Sequence, residues 1–270
     1  MEHGQSEYAI AVHSRRRDRK ADVRGQRARR ITPFLQHPAS ALLDLLRSCT
    51  PMPPDYLAER QEVLDAVRRI AGLGLVAHAS GNVSRRIPAP DGTLYAVTAS
   101  RVPYHRFGID DVLVVDANVD PIVGDGIPSS ESLAHLAVYA ARPDVGAVIH
   151  THSVHASAFA VAARPIPCVL DEQVVTLGGA VQVAEYGASA SQQLADNAVR
   201  ALGDGAAVLL RNHGVLGVGR DLEEAVAVVE LVERVARVHL VSLQLGPPRE
   251  LPPDVVAVEQ KMYRMMKGFK

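Results

Sequence analysis

Apolar positions between Asp55 and Ala71 recur at helical spacing. Val63, Leu64, Val67 and Ile70 share one face, Asp55 stands at the cap position, and Gly72 and Gly74 follow as a stop. The period then changes. Asn82–Ile87 and Thr93–Thr98 read as strands joined through the turn-forming Pro90-Asp91-Gly92, and Val112–Val115 and Pro121–Val123 read as a second pair around Asp116-Ala117-Asn118. Helical spacing returns at Ser132–Ala141, behind Pro128-Ser129-Ser130-Glu131, where Ser129 or Ser130 would cap the helix and Glu131 would fall in its first turn. Val145–Ile149 is an apolar run leading into His150-Thr151-His152, the pattern of a short buried strand. A helix is expected at Val154–Ala162, strands at Val181–Ala184, Ala206–Arg211 and Val215–Val218, and a further helix at Ala190–Leu202. Asp221 with Glu224 makes a capping-box-like start for a long helix running to Leu243. The alternation predicts an α/β fold in which hairpins outnumber parallel crossovers.

Composition adds limits to this picture. With 270 residues and 47% hydrophobic content the chain can bury a substantial core, and no internal repeat divides it. Tryptophan is absent and aromatic content is 4%, so valine, leucine and alanine must build that core. Cys49 and Cys168 suggest neither a disulfide framework nor metal-ligand spacing, which makes a reducing cytoplasm the simplest setting.

The overall charge of −1 conceals an asymmetry. Residues 1–51 hold ten Lys/Arg and five Asp/Glu, a net of +5, which leaves −6 for residues 52–270. The excess lies in Arg15–Arg30, which lacks apolar periodicity and reads as a disordered arm. No aromatic residues interleave with its arginines, which argues against nucleic acid as a partner, and no membrane partner is expected. No apolar stretch follows to make a secretory signal, and an organellar transit peptide is the remaining alternative. The favoured reading takes residues 1–51 as a dispensable basic extension and residues 52–270 as one folded domain. Met52, beside Pro51, Pro53 and Pro54, is then a candidate start.

Candidate chemistry centres on Glu131, on His150-Thr151-His152 and on His213 within Arg211-Asn212-His213-Gly214. Side chains at i and i+2 of a strand point to the same side, so His150 and His152 would converge. Three imidazoles and a carboxylate suit a divalent metal whose coordination shell keeps one position open. A His-x-His pair also arises by chance in a chain with eleven histidines, and the segment before Ser132 alone reads as an ordinary capped helix. Exposed N–H groups and serine hydroxyls at such a helix start suit a phosphate.

Five ordered blocks carry a resemblance: Ser80-Gly81-Asn82-Val83-Ser84, Thr98-Ala99-Ser100-Arg101, Pro128-Ser129-Ser130-Glu131, His150-Thr151-His152 and Asn212-His213-Gly214. Together they resemble the class II, metal-dependent sugar-phosphate aldolases and the adducin head domain, over residues 55–245. The resemblance implies a three-layer α/β/α fold with a largely antiparallel central sheet, and a homotetramer with sites between subunits. It implies that His150, His152 and His213 hold the metal, zinc first with manganese or cobalt as alternatives. Glu131 would ligate the resting metal and serve as acid/base in cleaving a ketose 1-phosphate into dihydroxyacetone phosphate and an aldehyde through a metal-stabilised enediolate.

Gly81 and Asn82, Ser100 and Arg101, and Ser129 and Ser130 match the family's three phosphate loops. Arg101 stands where the fuculose-phosphate enzymes have glycine. Asp171 stands where they carry a tyrosine that reaches the neighbouring subunit's site, so Asp171 or Glu172 is a candidate aldehyde-side acid and a 5-deoxypentulose 1-phosphate a candidate substrate. Tyr263 is a weaker candidate for closing over the site, with packing the favoured role. His135 and His155 are read as packed residues or as neighbours of the site. A pentulose-phosphate 4-epimerase, a dehydratase and a non-catalytic adducin-like scaffold share the fold; retention of Glu131 and all three histidines argues against the scaffold.

Overall fold

The computed structural model describes residues 55–269 apart from Asp91; the basic arm, Cys49 and Met52 lie outside the described residues. In chain order the elements are α1 (Leu57–Gly72), β1 (Asn82–Ala89), β2 (Gly92–Thr98), β3 (Val112–Val115), β4 (Pro121–Val123), α2 (Ser132–Ala141), β5 (Ala147–Thr151) and α3 (Val154–Val161). There follow α4 (Asp171–Leu177), β6 (Gln182–Ala184), α5 (Gln192–Leu202), β7 (Ala207–Leu210), β8 (Gly214–Gly219), α6 (Leu222–Ser242) and α7 (Pro253–Lys267). One eight-stranded sheet runs in the order β4-β3-β2-β1-β5-β8-β7-β6. Every adjacent pair is antiparallel except β6 with β7, as the predominance of hairpin signals predicts.

Strand alternation sorts the core into two faces. Ala147 and Ile149 of β5 pack with Val63, Leu64, Val67 and Ile70 of α1 and with Leu222, Val226 and Val229 of α6. Val148, between them in sequence, packs on the other face with Val138 of α2 and with Leu194 and Ala198 of α5. Helices therefore cover both faces, giving the three-layer α/β/α arrangement. Among the described residues, no helix is long and apolar enough to cross a membrane.

Sequence and structure part at helix ends and in two whole helices. Glu131, not a serine, occupies the cap position of α2, and the Ser129 hydroxyl accepts the Glu131 N–H at 3.3 Å. Ser191 caps α5, which starts two residues after the expected Ala190, by accepting from the Leu194 N–H at 3.1 Å. Helices α4 and α7 were not expected. Tyr263 is the one fully buried residue of α7 among the described residues. Its ring packs in the core beside Leu177 and its hydroxyl donates to the Asp204 carbonyl at 2.9 Å, which fits the packing role.

Two buried polar groups stabilise the sheet's first half. Arg60 of α1 is 8% exposed. Its Nε donates to the Val112 carbonyl and its Nη2 to the Ile109 carbonyl, both at 2.9 Å, which fixes the entry into β3. On the opposite face, the Ser84 hydroxyl of β1 lies 2.7 Å from Nδ1 of His135 and 2.9 Å from the Tyr139 hydroxyl, both on α2. Burial pushes His135 down to about 3, with the nearby His150 lowering it and Glu131 raising it.

Arg60→Met keeps the aliphatic stem and removes both hydrogen bonds, leaving the two carbonyls without these partners. We expect a loss of about 1–3 kcal/mol in urea unfolding, with metal content unchanged. For His135 the sign follows from its lowered pKa: the folded state resists a proton that the unfolded chain takes up. The stabilisation is complete above pH 6.5 and is lost as pH falls toward 3, at up to about 1.4 kcal/mol per unit. His135→Gln removes that titration while His150 and Glu131 stay in place. Its unfolding free energy should therefore fall less steeply than that of the wild type between pH 6.5 and 5; parallel curves would refute the assignment.

Candidate active site

The site lies where β5 ends, on the sheet face covered by α2 and α5. His150 pairs with Asn82 of β1 on one side and Leu216 of β8 on the other, and it is 1% exposed. Its Nδ1 lies 2.8 Å from the Val215 carbonyl. A carbonyl can only accept, so Nδ1 carries the proton and Nε2 is left with its lone pair. That bare nitrogen faces His152 Nε2 at 2.9 Å and Glu131 Oε2 at 3.2 Å.

His213 arrives from the β7–β8 turn. Asn212 takes left-handed backbone there, φ 58°, a conformation asparagine tolerates better than most residues. Gly214 then runs so close to β5 that a Cβ would meet the Thr151 carbonyl and lie 3.1 Å from the His150 ring and 3.2 Å from that of His152. The absence of a side chain at Gly214 makes room for both imidazoles. His213 Nε2 reaches Glu131 Oε1 at 3.2 Å, and ligand atoms of His150, His152 and His213 all lie within 4.8 Å of one another.

Glu131 is 8% exposed at the start of α2. Burial raises its pKa, but the hydrogen bond with His213, the charges of His150 and His213 and the Ser189 hydroxyl outweigh that and hold it well below the usual carboxylate range. Burial pushes His150 down to about 4 and lowers His152 as well. At neutral pH an ionised carboxylate therefore faces imidazoles with free lone pairs. Such a cluster of donors without protons is the set a divalent cation requires, and this chain's residues fit one.

A pocket of about 180 Å³ opens beside these groups. Gly81, Asn82, Ser100, Arg101, Ser129 and Ser130 all line it, together with Ala79, Ser80, Ala99, Glu131, His152, Ser189 and His213. Backbone bonds tie these loops together: the Ser129 N–H donates to the Thr98 carbonyl at 3.0 Å and the Ser100 N–H to the Ile127 carbonyl at 2.7 Å. Gly81 has φ 86°, and a Cβ there would lie 2.6 Å from the His150 carbonyl, so glycine is required where β1 begins. Asn82 turns toward the carboxylate, its amide donating to Glu131 Oε2 at 3.4 Å.

Asp171 and Glu172 are not among the residues that line the pocket of their own chain. They lie in the first turn of α4, where Glu172 pairs with Arg234 at 3.1 Å. His155 is also accounted for: its ring pairs with Glu233 of α6 at 2.7 Å, and the two carboxylate oxygens of Glu233 accept the N–H groups of His155 and Ala156 at the start of α3. Ser189 was missed by the sequence reading. It lies in the run Gly187-Ala188-Ser189-Ala190-Ser191, whose composition says only that a loop is there, yet its hydroxyl donates to Glu131 Oε1 at 2.6 Å.

Known proteins share this arrangement of sequence and fold. A 5-methylthioribulose-1-phosphate/5-deoxyribulose-1-phosphate aldolase of Rhodospirillum rubrum is 32% identical over 219 residues, 81% of this chain and 94% of its own length. An L-fuculose phosphate aldolase of Escherichia coli is 31% identical over 188 residues, 70% of this chain and 85% of its own. The solved structure of an L-fuculose 1-phosphate aldolase superposes with a TM-score of 0.71 at 30% identity, covering 77% of this chain and 96% of that one. Residues 61–240 match the family model described as Class II Aldolase and Adducin N-terminal domain, and the chain belongs to that family.

Proposed function

We propose that this class II sugar-phosphate aldolase, a carbon–carbon lyase, reversibly cleaves a 5-deoxypentulose 1-phosphate to dihydroxyacetone phosphate and an aldehyde, using a divalent metal held by His150, His152, His213 and Glu131. The observation that carries the reading is the meeting of the three imidazoles and an ionised carboxylate at the wall of a serine-rich pocket. Substrate choice is supported by the Rhodospirillum rubrum relative, which matches over most of both chains, and by Asp171, which stands where the fuculose-phosphate enzymes have tyrosine. Zinc is the proposed metal, with manganese or cobalt as alternatives, because nitrogen and carboxylate donors suit all three.

Bound there, the metal supplies Lewis-acid stabilisation of the negative charge that develops beside the substrate carbonyl. The protein's own groups do the rest. The hydroxyls of Ser100, Ser129 and Ser130, with Gly81 and Asn82, orient the phosphate, and Arg101 adds a charge-assisted contact at the rim. Breaking the C3–C4 bond takes the proton from the C4 hydroxyl and leaves an electron pair at C3, which Glu131 protonates with a proton its carboxylate has taken up from solvent, while the C4 proton returns to solvent through its acceptor; in synthesis the ionised Glu131 removes the C3 proton. Asp171 or Glu172 of a neighbouring copy in a homotetramer is the proposed acceptor of the C4 hydroxyl proton, since neither lines the pocket of its own chain. The proposed setting is the cytoplasm, and residues 52–270 are the proposed catalytic domain, with residues 1–51 a dispensable extension.

Release of dihydroxyacetone phosphate from 5-deoxypentulose, L-fuculose and L-rhamnulose 1-phosphates tests the reaction. We expect fastest release from the 5-deoxypentulose substrates, loss on chelation and recovery on adding metal, with the same ranking for a chain lacking residues 1–51. Bound metal without any release would instead favour epimerase or dehydratase chemistry. Glu131→Gln is expected to lower kcat by about 10²- to 10⁴-fold, the range for general acid–base catalysis. Full activity with metal retained would remove Glu131 from the proton transfer.

A further inference from the structure

Glu131 has four polar side-chain partners, and the tightest is not a metal ligand. Ser189 Oγ donates to Oε1 at 2.6 Å, whereas His213 reaches the same oxygen at 3.2 Å, and His150 and Asn82 reach Oε2 at 3.2 and 3.4 Å. His150, His213 and Asn82 approach from β5, the β7–β8 turn and β1. Ser189 approaches from the β6–α5 loop and supplies the restraint on the α5 side.

That loop is fastened to helix α5 by several bonds. Asn197 of α5, 7% exposed, donates to the carbonyls of Glu185 and Tyr186 at 3.1 and 3.2 Å. Ser191 caps α5, and its hydroxyl donates to the Ala188 carbonyl at 2.6 Å. Between these anchors Ala190 takes left-handed backbone at φ 62°, which few non-glycine residues adopt. The result is a serine hydroxyl at the pocket wall, held against the carboxylate that is proposed to move the proton.

We infer that Ser189 is a positioning residue for Glu131, fixing the direction of its carboxylate between metal and substrate. A hydroxyl suits this task because it donates to one carboxylate oxygen and leaves the other to its remaining partners. The inference rests on the proposed role of Glu131 at the metal, and its test separates the two.

The experiment uses the full chain with Ser189→Ala and Ser189→Thr, with Co²⁺ as the metal probe. Two readouts are compared: the affinity and visible spectrum of the Co²⁺ complex, and kcat and KM on a 5-deoxypentulose 1-phosphate. Outer groups that orient a metal ligand are worth about 10-fold or more in affinity or activity, so Ser189→Ala should bind Co²⁺ about 10-fold more weakly with an altered spectrum. Its kcat should fall about 10-fold with KM nearly unchanged, the pattern of a lost transition-state contribution. Ser189→Thr, which keeps the hydroxyl, should restore both. Wild-type Co²⁺ binding and kcat in Ser189→Ala, or a change confined to KM, would overturn the inference. If the wild type binds Co²⁺ and cleaves none of these substrates, the proposed reaction is wrong and the Co²⁺ comparison alone decides the role of Ser189.

Discussion

One hydrogen bond sets the chemistry of the site: Nδ1 of His150 donating to the Val215 carbonyl at 2.8 Å. It ties the tautomer of a buried imidazole to the pairing of β5 with β8. A slip of one residue in that pairing would send His150 to the face covered by α1 and α6, away from Glu131 and His213. The register is protected by the valines around it. Val148 and Val218 must face α2 and α5, and Ile149 must face α1 and α6, so the core that stabilises the fold also aims the ligand. Gly214 completes the arrangement, because any side chain there would occupy the space of the two imidazoles.

The same logic explains why much of the fold and site was legible in sequence. A strand fixes its side chains by parity, so His150 and His152 could be placed together from their spacing alone. The helices α1 and α6, which bury six and eight residues, announce themselves by period, whereas α7, which fully buries Tyr263 alone, was not read from the sequence. Glu131 was legible in position but not in detail. A helix start attracts serine caps in general, but here the carboxylate residue itself takes the cap position, and Ser129 turns back to accept its N–H. Ser189 was not legible at all: nothing about a serine in an Ala/Ser loop shows that folding will set it 2.6 Å from a carboxylate more than fifty residues earlier. Contacts of that kind depend on how two loops meet, which neither period nor propensity encodes.

Electrostatically, the site's ligands are poised by burial. An ionised carboxylate and imidazoles kept neutral by desolvation form a cluster rich in lone pairs and poor in protons. The outer hydrogen bonds matter for the same reason: His150 to Val215, Ser189 to Glu131 and Asn82 to Glu131 each fix the direction of a side chain in the cluster, which reduces the ordering that a cation binding there would have to impose.

The backbone carries a further trace of function. Of the seven non-glycine residues with left-handed backbone among the described residues, His78, Arg101, Ala190 and Asn212 each immediately adjoin a residue lining the pocket. A conformation that costs a non-glycine residue on the order of 1 kcal/mol persists only where its surroundings enforce it, and here the surroundings are the loops that meet around the histidine cluster. Arg101 is the most informative of the four. At φ 65° it holds a conformation that glycine would adopt without strain, yet the chain places a cation there, at the wall of the pocket. An arginine and several serines at one pocket wall are residue types whose side chains donate hydrogen bonds to anions, which is the chemistry the proposed phosphate loops call for.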